Sequence, residues 1–166
     1  LSYYTNTLIT ISDFIGNYST IESKVSAFFN VSLPKQIEAN GTQPLEEIRT
    51  LPFHYSAFNL EALTYMANFV SQKDPLTHGP YIKNAWNQTG DSIIVAVQRL
   101  IDVVRGKTGQ IEPGADLSEA DYSMRALGIA YPWKFCHTYT ASQNHTVPYL
   151  NLWPLWTPRA LWNCFN

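Results

Sequence analysis

The stretch Asp91 to Arg105, DSIIVAVQRLIDVVR, is the most apolar continuous helical pattern in the chain and constrains the fold more than any other segment. At 100° per residue, Ile93, Ile94, Val97, Leu100, Ile101 and Val104 share one face, with Asp91, Gln98, Asp102 and Arg105 opposite. The phase continues back through Trp86 and Ile82, which predicts one long helix from Pro80 to a stop at Gly106, despite Gly90. The rest of the chain is expected to cover its apolar side.

Three more segments repeat at helical spacing. Tyr3 to Phe29 places Leu8, Ile11, Phe14, Ile15, Tyr18, Ile21, Val25, Phe28 and Phe29 on one arc, and predicts a single amphipathic helix. Glu22 falls inside that arc, as a site carboxylate or as a boundary residue that snorkels or pairs with a base. A second helix is expected from about Ser56 to Gln72, with Leu60, Leu63, Met66, Ala67, Phe69 and Val70 buried and Glu61, Thr64, Asn68 and Gln72 outside. Asn59 points into its buried arc. The third begins at Leu117-Ser-Glu-Ala-Asp, where Ser118 and Asp121 resemble a capping box, and is expected to stop at Gly128. Between Asn30 and Pro52, prolines and Gly41 break the periodicity, leaving a loop with a short helix at Thr42-Gln-Pro-Leu-Glu-Glu.

From Tyr131 onward the chain changes character. Trp133, Trp153, Trp156 and Trp162 share 36 residues with four prolines, which forbid long helices and central strands. Cys136 and Cys164 lie in the same stretch, and pairing them would close a loop worth about 3.6 kcal/mol of chain entropy. The expectation is a mainly α protein, a four-helix-type bundle over 1–130 in one domain with a Trp/Pro-rich strap over 131–166 closed by that disulfide.

Charged residues make up 14% of the chain, well below the usual ~25%, so hydration must come from elsewhere. Five N-x-S/T sequons, at Asn17, Asn30, Asn40, Asn87 and Asn144, supply a source if they carry sugar. With the even cysteine count they point to a secreted, N-glycosylated chain. No apolar run of 18 residues is present, so no transmembrane segment is expected. A net charge of −2 without Lys/Arg clusters argues against nucleic acid.

Common catalytic signatures are missing: no GxSxG elbow, phosphate loop, HExxH or calcium loop occurs. His54, His78, His137 and His145 lack the i, i+4 spacing of a helical metal site and read as ordinary surface residues; neither metal nor cofactor is expected. Tyr149, Trp153, Trp156 and Trp162 offer flat rings to a protein partner, a sugar or an apolar ligand, or cap the bundle. These features favour an extracellular binding or interaction protein without catalysis. The alternatives are a carrier of an apolar small molecule anchored by Glu22 or Asn59 in a helical cavity, and a small secreted hydrolase with a nonstandard site.

Overall fold

The computed structural model describes residues 1–71, 86, 89, 91–107 and 112–130. Among them the protein is mainly helical, without strands. The helices are α1 (Ser2–Phe14), α2 (Tyr18–Ala27), α3 (Leu33–Gln36), α4 (Pro44–Glu47), α5 (Pro52–Ser71), α6 (Ser92–Val104) and α7 (Asp121–Ala130). A π-helical turn at Phe28–Ser32 joins α2 to α3, and a 3-10 turn at Leu117–Ala120 leads into α7.

The centre is α5, not the more apolar α6. Helix α5 is packed by α1, α2, α4, α6, α7 and the 3-10 turn. The reason lies in its side chains: Leu60, Leu63, Met66 and Val70 are fully buried with the polar Ser56 and Asn59 among them, and the buried arc widens to Ala62 on one flank and to Ala57 and Thr64 on the other. A helix surrounded on several faces shows a weak amphipathic signal, whereas α6, covered on one face, shows a strong one. Ile93, Val97, Leu100 and Ile101 of α6 are buried as its periodicity predicts. The unbroken run expected from Pro80 is interrupted at Asp91, which sits outside helical geometry as the N-cap, so that α6 begins at Ser92; Pro80 and Ile82 lie outside the described residues.

The single helix expected over Tyr3 to Phe29 is two. Gly16, at φ +73°, ends α1, and Asn17 starts α2 by accepting a hydrogen bond from the Thr20 amide. This break resets the phase. In α2 and the following turn, Ile21, Val25, Phe28 and Phe29 still point inward, but in α1 the buried residues are Ser2, Thr5, Asn6, Ile9 and Ser12. Ile11, Phe14 and Ile15, expected inside, are exposed. Small polar side chains let α1 approach α5 closely, and Asn6 Nδ2 donates to the Ala62 carbonyl at 2.9 Å.

Two smaller differences concern α5 and α7. Thr64 is fully buried because α7 covers it, and its hydroxyl meets that of Ser123 at 3.2 Å. Helix α7 passes through Gly128, a buried position, and runs to Ala130; its lead-in is capped by Asp116, which accepts from the Ser118 amide, instead of by Ser118. Gly41, at φ +83°, lies so close to α6 that a Cβ there would sit 2.6 Å from the Val95 carbonyl oxygen. Only glycine fits both the conformation and the space. The strap, with Cys136 and Cys164, lies outside the described residues.

Candidate active site at the head of helix α5

The start of α5 is fixed by a distant segment. Pro52 stands at the first helical position, where its missing N–H costs nothing. The next two amides are capped by one carboxylate: Phe53 N–H donates to Glu112 Oε2 at 2.9 Å and His54 N–H to Glu112 Oε1 at 3.3 Å. An anion at a helix N-terminus also meets the positive end of the dipole.

Seven residues further on, Glu119 takes the side chain of His54. Its Oε2 lies 2.6 Å from His54 Nδ1. An ionised carboxylate only accepts, so Nδ1 carries the proton and donates. The tautomer is thereby set, and in the neutral ring Nε2 is left as a basic lone pair. That nitrogen has no hydrogen-bond partner among the described residues, and half of the His54 side chain is open to solvent.

Tyr55 and Arg49 complete the cluster. The Tyr55 ring meets His54 edge to face at 5.5 Å, and the Arg49 guanidinium lies 3.7 Å from the Tyr55 ring centroid. Arg49 also has Glu46 at 3.7 Å, a loose exposed contact that leaves most of its donors available. On the other side of His54, Phe58 is near-parallel to the imidazole at 14°, and Tyr3 stacks on Phe58 at 4.2 Å. The site thus offers a cation, an oriented imidazole, a phenol and an aromatic shelf. Such a set can neutralise a bound carboxylate, move protons to and from carbon and oxygen, and hold a sugar ring.

The residues singled out from the sequence lie elsewhere. Asn59, on the opposite face of α5, is buried and its amide is fully used: Nδ2 donates to Gln43 Oε1 at 2.9 Å and Gln36 Oε1 at 3.3 Å, and Oδ1 accepts from Ser2 Oγ at 2.7 Å. It ties α1, α3 and α5 together and has no hydrogen left for a ligand. Glu22 is exposed on α2, since the break at Gly16 to Asn17 turned it outward. Neither serves a helical cavity as an anchor. Asn17, Asn30 and Asn40 are exposed. Tyr149, Trp153, Trp156, Trp162, Cys136, Cys164, Asn87 and Asn144 lie outside the described residues. No group of three or more metal-ligating side chains occurs among the described residues, and none of their helices is long and apolar enough to cross a membrane.

His54 escaped sequence reasoning because its partner is 65 positions away. Arg49 and Tyr55 were within reach, as a cation and a phenol six residues apart on either side of a helix-starting proline.

A family profile described as alginate lyase matches residues 1–109, about two thirds of the chain, which takes in Arg49, His54 and Tyr55 and every helix from α1 to α6. No curated protein and no solved structure matches. The expectation of a binding protein without catalysis is overturned by that match, and the enzyme alternative fits better, although a lyase cleaves by elimination and a hydrolase by water. With the match spanning more than half of its length, the chain belongs to the alginate lyase family.

Proposed function

We propose that this protein is a secreted polysaccharide lyase that cleaves uronate-containing glycans by β-elimination at the Arg49, His54, Tyr55 and Glu119 cluster. The reaction removes the proton on the carbon α to the uronate carboxylate and breaks the bond from C4 to the glycosidic oxygen. A C4=C5 double bond forms, and the departing oxygen gains a proton. The C–H is too weak an acid while the carboxylate keeps its full charge, so a cation or hydrogen-bond donor on that group is required. Arg49 is that cation. His54 and Tyr55 are the two groups beside it able to exchange protons, and Glu119 holds the imidazole in the tautomer that leaves Nε2 free.

The single observation that carries this reading is the oriented imidazole of His54 beside a tyrosine ring covered by the Arg49 guanidinium, inside the span matched by the family. The test is digestion of polymannuronate and other polyuronates while following ultraviolet absorbance of the unsaturated product. Elimination generates the chromophore. Hydrolysis would give new reducing ends without it, and would sink the lyase assignment.

Secretion is part of the same proposal, supported by five sequons and an even cysteine count. A Cys136–Cys164 bridge and sugar on the sequons follow from it, and thiol labelling of unreduced protein with mass measurement before and after deglycosylation tests both. Tyr149, Trp153, Trp156 and Trp162 have the ring chemistry for glycan contact.

A further inference from the structure

Helix α1 ends in a cap with one part missing. The Asn17 amide donates to the Ser12 carbonyl at 2.7 Å and the Gly16 amide to the Asp13 carbonyl at 3.0 Å, with Gly16 in the left-handed region at φ +73°. This pair of bonds folds the residue after the glycine back over the last turn, where an apolar side chain commonly packs on the residue six positions earlier. Here the returning residue is Asn17, polar and exposed, and its counterpart Ile11 is left 53% open. Phe14, 90% exposed, and Ile15, 65% exposed, follow three and four positions after Ile11, so the three side chains form one open apolar patch.

The same asparagine begins a sequon, Asn17-Tyr18-Ser19. Its Oδ1 serves α2, accepting from the Thr20 amide at 3.4 Å and from Ser19 Oγ at 3.2 Å. Its Nδ2 makes no hydrogen bond among the described residues, and N-glycosylation uses that atom. With a lipid-pyrophosphate-linked oligosaccharide as donor, the bond from sugar C1 to the pyrophosphate oxygen breaks and a bond from C1 to Nδ2 forms. The lipid pyrophosphate leaves with the electron pair, and one Nδ2 proton passes to base. Oδ1 is untouched, so the cap of α2 survives. We propose, resting on the secretion part of the reading above, that Asn17 carries an N-linked glycan whose first sugars lie over Ile11, Phe14 and Ile15 in place of the missing apolar side chain. The Phe14 and Asn17 Cα atoms are at most about 11 Å apart along the chain. The C–H faces of sugars pack on aromatic and aliphatic side chains, so the glycan shields the patch as well as hydrating the surface.

The experiment uses the full chain secreted from a eukaryotic host, with occupancy at each sequon read by peptide mass spectrometry. Ser19→Ala and Asn17→Asp each remove the sequon and keep a capping oxygen at position 17. Both are expected to raise binding of anilinonaphthalene sulfonate and concentration-dependent light scattering several-fold over the wild type. Adding Ile11→Ser and Phe14→Ser to Ser19→Ala should return both signals to the wild-type level. Urea unfolding of each variant separates exposure of the patch from loss of the fold. A bare Asn17, dye binding and scattering unmoved by loss of its sugar, or a rise that the two serine substitutions do not reverse overturns the shield. Sugar on other sequons with Asn17 bare overturns the shield alone; no sugar on any sequon overturns the secretion reading with it.

Discussion

Helix α5 carries polar groups on two opposite faces, and they are spent differently. On the inner face, Asn59, Gln36, Gln43 and Ser2 form a buried network in which Gln43 also donates to the Ser56 carbonyl at 3.2 Å. Both hydrogens of the Asn59 amide are used within the protein. On the outer face, His54 uses one ring nitrogen and leaves the other open, and Glu61 has no hydrogen bond or ion pair among the described residues. The inner face is glue, since buried polar groups stabilise only when satisfied. The outer face keeps unused bonding capacity, which is what a substrate needs. A polar residue in an apolar arc is therefore a poor marker of a site; a polar residue with valences left over is a better one.

The contrast is broken most directly by separating activity from stability. His54→Ala and Tyr55→Phe are each expected to lower kcat by about 10²–10⁴-fold. Both leave the urea midpoint nearly unchanged, because the His54 side chain is exposed and Tyr55→Phe removes only a hydroxyl. Glu119→Gln should lose less, since it loosens the imidazole without removing it; an equal loss would mean that Glu119 itself handles the proton.

Asn59→Leu is the mirror experiment. It strands Ser2, Gln36 and Gln43 and should cost about 2 kcal/mol or more in urea unfolding, while kcat/KM per folded molecule stays at the wild-type value. Loss of activity at full stability would place Asn59 in the site after all.

Two carboxylates sharpen the comparison through pH. Burial alone would raise the Glu47 pKa, but hydrogen bonds from Arg99 and the Gln43 amide, with the Arg99 charge, outweigh it and hold the group below its ordinary value of 4.5. Its contribution is therefore present above about pH 4.5 and is lost as pH falls through the lowered value. Glu47→Gln should flatten the acid side of a stability profile. Glu61 has the opposite sign. Burial raises its pKa, so its contribution is full below 4.5 and is lost as pH rises through the raised value. Glu61→Gln should produce the smallest effect, a slight gain in thermal midpoint near neutrality. A loss there would mean that the carboxylate has a partner that holds it ionised.

Much of the helical content was legible because apolar spacing reports local geometry. Ile93, Val97, Leu100 and Ile101 of α6 are buried as their spacing requires. The errors come from elements whose environment is not local. Helix α1 faces α5 with Ser2 and Asn6, a choice visible only once Asn59, Gln36 and the Ala62 carbonyl are in place. Gly16-Asn17 carries a stop-and-start signal that separates α1 from α2 and turns Glu22 outward. The site was less legible still, since Glu112 and Glu119 reach back to the head of α5 across about 60 residues. Sequence spacing cannot show such pairing.

The two glutamates that hold His54 lie at positions 112 and 119, just past residue 109, where the family match ends. A protein trimmed to the matched span would keep the imidazole, the phenol and the guanidinium. It would lose the carboxylate that caps their helix and the one that aims the ring. On the proposed assignment, the shortest working version extends beyond Glu119, and the part matched by the family is smaller than the part that operates.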